Sequence, residues 1–166
     1  MVHPKNIILI GMPGAGKSTV GVILAKSLGL KFIDTDILIQ EQTGRRLQEI
    51  IDQDGPDAFM KIEEDTIVSL CSQKAVIATG GSVVCSDAAM AHLECLGVVV
   101  YLKISYGEME KRLSNITTRG IVLLPGQSMQ AMYDQRAPLY EKHADLSIEC
   151  SGKDFESVVA NVIAGL

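Results

Sequence analysis

The sequence predicts an α/β domain built on a parallel sheet with helices on both faces. Three observations carry this expectation. Five short β-rich runs alternate with longer helical patterns along the 166 residues, and such alternation implies βαβ units. The first run, "NIILI" (6–10), is apolar on both faces, as a strand covered by helices above and below has to be. A glycine-rich loop then joins that run to the first helical pattern. The length suits one domain with a proper core. No repeat, low-complexity tract or linker divides the chain, so a single domain over 1–166 is expected.

Each element has its own signal. "STVGVILAKSLG" reads as a helix, with Val20, Ile23, Leu24 and Leu28 on one face and Gly29 as its stop. "LKFID" is the second strand. A mostly helical stretch runs from about Asp36 to Gln73, interrupted at Gly44 and at "DGP" (54–56). "AVIAT" (75–79) and "GVVVYL" (97–102) are the third and fourth strands, and residues 105–113 form a helix. "SNITTRGIVLLPG" mixes polar residues with Gly and Pro and reads as a mobile segment. "QSMQAMYDQRAPLY" resumes a helix, "DLSIE" is a short fifth strand, and "DFESVVANVIAGL" closes the chain as an amphipathic helix.

Composition narrows the partners. Apolar residues make up 47% and charged residues 21%, an ordinary globular balance. A net charge of -5 argues against a sequence-independent nucleic-acid binder, which is usually basic. The four cysteines, Cys71, Cys85, Cys95 and Cys150, show no C-x-x-C spacing and read as thiols in a reducing cytosol. No apolar run reaches the ~18 to 20 residues of a membrane helix. The opening "MVHPKNIILIG" is too short for a signal-peptide core and lacks a cleavage site. The expectation is a soluble, cytoplasmic, monomeric protein that binds a small molecule, with no nucleic acid and no membrane.

The loop "GMPGAGKS" fits G-x-x-x-x-G-K-[ST] at Gly11, Gly16, Lys17 and Ser18. It lies between a buried strand and a helix, where a phosphate-binding loop belongs. Glycines let backbone amides turn inward around nucleotide phosphates, and the helix adds its positive end. Lys17 would reach the β- and γ-phosphates, and Ser18 would ligate Mg²⁺. Gly11, Gly14, Ala15, Gly16, Lys17, Ser18 and Thr19 are thus the expected nucleotide-binding set. A dinucleotide reading fails on spacing, and no N-K-x-D guanine motif is visible. The motif places ATP or GTP with Mg²⁺, and a short chain with this loop at residue 11 fits a kinase of small molecules or nucleotides.

Asp34 and Asp36 end the second strand run, "FIDTD". A parallel second strand opens at the same sheet edge as the phosphate loop, where ligands bind in open α/β sheets. If the run stays extended, positions i and i+2 share a side. One carboxylate then holds Mg²⁺ through water, and the other takes or orients the proton of an attacking hydroxyl. The bland alternative is that Asp36 only caps the next helix.

"GMPGAGKSTVG", "FIDTD", "DG…F…IEED" (54–65), "ATGG" (78–81), "GVVVYL" and "RAPLY" (136–140) occur in this order in shikimate kinases, which the chain resembles from about Asn6 to Leu166. The resemblance implies ATP-dependent phosphorylation of shikimate, a five-stranded sheet of order 2-3-1-4-5 in the P-loop three-layer arrangement, and a mobile lid at about 114–126. It gives Asp34 to the Mg²⁺ water shell and Asp36 to a substrate hydroxyl. It gives Gly80 and Gly81 to a turn where backbone meets substrate, Arg119 to the transferring phosphoryl group, Arg136 to the substrate carboxylate, and Arg112 to the adenine.

The pattern breaks on the substrate side. The family usually reads F-R-x-x-E where this chain reads "FMKIE" (59–63), so Met60 stands where a second carboxylate-binding arginine is expected. Ser82 replaces the third glycine of G-G-G, and "TTRGIVLLPGQ" replaces R-P-L-L. Two further readings follow: a kinase of another hydroxylated metabolite, such as a polyol or an amino alcohol like homoserine, and a non-catalytic nucleotide-binding relative.

Overall fold

The strands are β1 (Asn6–Ile10), β2 (Lys31–Asp34), β3 (Ala75–Ala78), β4 (Val98–Lys103) and β5 (Leu146–Glu149). The helices are α1 (Lys17–Leu28), α2 (Thr35–Thr43), α3 (Leu47–Asp54), α4 (Pro56–Val68), α5 (Asp87–Leu96), α6 (Tyr106–Leu113), α7 (Met129–His143) and α8 (Phe155–Gly165). This is a computed structural model, and it describes residues 6–114 and 120–166. All five strands are parallel, in the order β2-β3-β1-β4-β5. The predicted fold and strand order are those observed.

Burial follows position in the sheet. β1, at the centre, is buried at every residue, and so is β3 beside it. The edge strands β2 and β5 are partly open, so they carry Lys31, Asp34, Ser147 and Glu149 without cost to the core. The main core packs the sheet against α1, α5, α7 and α8 through residues such as Leu24, Leu93, Tyr140 and Val162.

A second, smaller core consists of Ile39, Ile50, Phe59 and Val122. It ties α2, α3 and α4 to the stretch that follows residue 119. Phe59 is fully buried there, a contribution of about 2 to 3 kcal/mol by transfer. A Cβ on Gly120 would lie 2.5 Å from the Leu47 side chain, so the backbone at Gly120 lies close against α3.

Two details differ from the sequence reading. First, the sequence reading places no helix between the third and fourth strands, yet α5 occupies that crossover. Its apolar face is built from small residues and Met90 and Leu93, which makes its periodicity hard to see. Ser86 caps it, accepting from the Ala89 amide. Second, the run holding both aspartates does not stay extended. β2 stops at Asp34, and Asp36 already lies in the first turn of α2. In the segment expected to be mobile, residues 120–126 lie outside helix and strand, and Val122 is buried.

Candidate active site

The phosphate loop leaves the carboxyl end of β1 and turns into α1 at Gly16, the N-cap residue, with φ of 92°. That conformation favours glycine. A Cβ there would also sit 2.9 Å from the Phe155 ring. Lys17 folds back across the loop, its Nζ donating to the carbonyls of Gly11 at 2.7 Å and Met12 at 2.8 Å. Gly11 and Ala15 are buried beneath the loop, and Thr19 is exposed beside it.

The two aspartates serve different places. Asp34 caps α2, accepting from the amides of Asp36 and Ile37 through Oδ1. Its Oδ2 accepts from the Ser18 hydroxyl at 2.6 Å. The cap therefore belongs to Asp34 and not to Asp36. It also orients Asp34 so that its other oxygen meets Ser18. A hydroxyl and a carboxylate this close fit a hard cation such as Mg²⁺, whose remaining ligands would be phosphate and water. Among the described residues, no group of three or more His, Cys, Asp or Glu side chains is placed to hold a metal ion.

The Asp36 carboxylate lies beside the glycine turn after β3. A Cβ on Gly80 would lie 2.9 Å from Asp36 Oδ1 and would collide with Glu63 Oε2. Gly80 is therefore glycine because two carboxylates crowd its backbone. Gly81 packs on Pro13 of the phosphate loop, and its carbonyl accepts from the Tyr140 hydroxyl of α7.

A cavity of about 440 Å³ runs along this edge, lined by loop residues including Gly14, Gly16, Lys17, Ser18 and Thr19, and by Asp36, Gly80 and Gly81. A deeper recess of about 20 Å³ opens beside it, where Asp36, Glu63, Gly80, Ser82 and Arg136 meet. Arg136 is buried, with Nη2 donating to the Val122 carbonyl at 2.7 Å. Its Nε has no hydrogen-bond partner among the described residues, nor has Glu63 Oε2. Burial pushes the Glu63 carboxyl up to about 7, partly offset by the Ser82 hydroxyl; nearby Asp36 raises it further, while Arg136 and Lys17 lower it.

Arg112 and Met60 are not among the residues lining the recess. Arg112 braces the phosphate loop, donating from Nη1 to the Gly14 carbonyl at 2.9 Å and pairing with Glu108. Met60 lines a separate cavity of about 230 Å³ behind Glu63 and Ser82, not the recess that holds Arg136. Arg119 lies outside the described residues. Sequence spacing did not flag Arg46, a cation lining the main cavity, or the tether from Tyr140 to Gly81. Neither follows a local motif; each becomes visible only when distant segments are folded together.

Known proteins fit this geometry. A family model described as "Shikimate kinase" matches residues 13–166. A shikimate kinase of Thermodesulfovibrio yellowstonii is 39% identical over 96% of this chain and 93% of its own length. One from Mycobacterium tuberculosis is 36% identical over 98% of this chain and 93% of its own. Among solved structures, a shikimate kinase from Acinetobacter baumannii in complex with shikimate superimposes with a TM-score of 0.86 at 29% identity, covering 96% of this chain and 90% of that one.

Proposed function

The chain belongs to the shikimate kinase family, and we propose that it transfers the γ-phosphoryl group of ATP to a hydroxyl of shikimate. One observation carries the reading. The recess beside the phosphate loop brings together a carboxylate at Asp36, suited to a hydroxyl, and a buried guanidinium at Arg136, suited to a carboxylate. Shikimate offers both groups. A non-catalytic binding protein would have no use for the acceptor-side carboxylate.

The residues divide the work as follows. The loop from Gly11 to Thr19 holds the ATP phosphates, and Arg112 keeps the loop in shape through Gly14 while standing toward the adenine. Lys17 places its charge against the β- and γ-phosphates. Ser18 and Asp34 hold Mg²⁺, which when bound neutralises phosphate charge. Asp36 takes or orients the proton of the attacking hydroxyl, Gly80 and Gly81 let that hydroxyl approach the backbone, and Arg136 fixes the ring by its carboxylate. Arg119 neutralises the transferring phosphoryl group from a lid at about 114–126. The proposed working unit is a monomer, folded as a single domain over 1–166. The four free thiols support a cytoplasmic setting, and among the described residues no helix is long and apolar enough to cross a membrane.

The lid reading has a direct check. Gly120 and Val122 already pack on α3 and the small core, so closure has an anchored end. Binding of an ATP analogue with shikimate should slow amide exchange across 114–126 by about tenfold or more. Equal exchange in both states would count against a lid.

Met60 motivates the main test. The acceptor carboxylate has one arginine where the family usually supplies two. Steady-state kinetics with ATP and a panel of hydroxylated metabolites should find shikimate the preferred acceptor. Met60→Arg, with Glu63 one turn along α4 to orient it, should lower the shikimate KM by about tenfold, equivalent to ~1.4 kcal/mol. Preference for a polyol or amino alcohol, together with no gain from Met60→Arg, would move the function to that acceptor.

A further inference from the structure

Glu63 lies at the wall between the recess holding Arg136 and the cavity behind it, and Ser82 lines both spaces with it. Both side chains are buried. The Ser82 hydroxyl donates to Glu63 Oε1 at 2.6 Å. Oε2 has no hydrogen-bond partner among the described residues and lies over Gly80, close to where Asp36 Oδ1 also points. A carboxylate oxygen left unpaired in a buried recess is a costly arrangement unless a ligand completes it.

We propose that Ser82 is a positioning residue for the acceptor: it ties down one oxygen of Glu63 so that the other stays directed into the recess to receive an acceptor hydroxyl. The inference rests on the proposed shikimate reading for the identity of that acceptor. The neighbouring position explains why a tether is needed. An arginine at position 60 would give Glu63 a cationic partner from its own helix, and Met60 cannot. Ser82, standing where glycine is usual, supplies a hydroxyl from the turn after β3 instead.

The tether also decides where a proton goes. Oε1 is occupied by the Ser82 hydroxyl, so protonation falls on Oε2 and turns the ligand-facing oxygen from acceptor to donor. The groups facing Glu63 are Asp36 from α2, Lys17 from α1, Arg136 and Tyr140 from α7, and Ser82. Burial and Asp36 raise its titration; Ser82, Arg136 and Lys17 lower it, and the balance lies at about 7. The ionised form accepts the hydroxyl, so acceptor affinity should be full above that value and fall as pH drops through it. Removing the Ser82 hydroxyl removes a lowering influence and should move the titration upward.

Two measurements on the full-length protein test this. Carbon-13 NMR of the Glu63 carboxyl, without acceptor, should show its midpoint higher in Ser82→Ala than in the wild type and restored in Ser82→Thr. Profiles of kcat and KM for shikimate, at saturating ATP and Mg²⁺, should show KM rising on the acid side. In Ser82→Ala that limb moves up and KM at neutral pH rises about three- to tenfold, with a much smaller change in kcat at alkaline pH. Glu63→Gln should remove the limb. An unmoved Glu63 midpoint in Ser82→Ala overturns the tether whatever the acceptor is. A moved midpoint with no change in the KM profile overturns its role in acceptor binding. A moved midpoint in a protein whose wild type does not turn over shikimate leaves the tether standing and sinks the acceptor reading instead.

Discussion

Asp36→Asn should reduce phosphoryl transfer by about 10² to 10⁴ while leaving affinity for ATP with Mg²⁺ near the wild-type value. The geometry separates the two effects. Asp34, not Asp36, meets Ser18, and the Asp34 side chain caps α2, so Asn at 36 disturbs neither the Ser18–Asp34 contact nor the helix start. Asp36 instead faces Gly80 and the recess, where the attacking hydroxyl would sit. Lys17→Ala is the contrasting variant. Lys17 ties the phosphate loop together through Gly11 and Met12 and is proposed to bring its charge to the phosphates, so its loss should weaken ATP binding and turnover together. Calorimetric titration with ATP and Mg²⁺, run beside steady-state turnover, separates the pair. An Asp36→Asn protein working at the wild-type rate would remove Asp36 from the mechanism.

That contrast also marks how far the sequence could be read. The phosphate loop was legible because motif and context are contiguous: a buried strand, glycines at fixed offsets, then a helix. The sheet was legible for a similar reason, since β1, β3 and β4 are buried apolar runs. Extended geometry failed one residue after Asp34, because the side chain of Asp34 itself starts a helix by accepting two amides. The placements of the two carboxylates are therefore divided by a local cap that alternation cannot reveal. What lay furthest from view were pairings between remote segments. Glu63 with Ser82 joins α4 to the turn after β3, and Arg136 with Val122 joins α7 to the segment before it. A one-dimensional pattern flags Met60 and Ser82 as departures but gives no sign that both concern the same carboxylate, Glu63.

Arg136→Lys should raise the shikimate KM by about 100-fold, or ~2.7 kcal/mol, although the charge is kept. Lysine offers a point charge in place of a planar fork and cannot hold a carboxylate with two parallel bonds. With Met60 supplying no second cation, no other arginine among the described residues lining the recess shares the load. Arg136 has a second task, however, since its Nη2 holds the Val122 carbonyl at 2.7 Å, and loosening that link could itself weaken binding by freeing the segment after residue 119. The two causes separate in a cycle that pairs the variant with an altered acceptor. Against a shikimate analogue whose carboxylate is reduced to an alcohol, wild type should itself lose affinity, and Arg136→Lys should cost little more. If loss of the Val122 link were responsible, the variant would lose the same factor on both acceptors. An equal loss on both would move Arg136 from carboxylate recognition to holding the segment in place, and the recess would then need another cation to explain a carboxylate-bearing substrate.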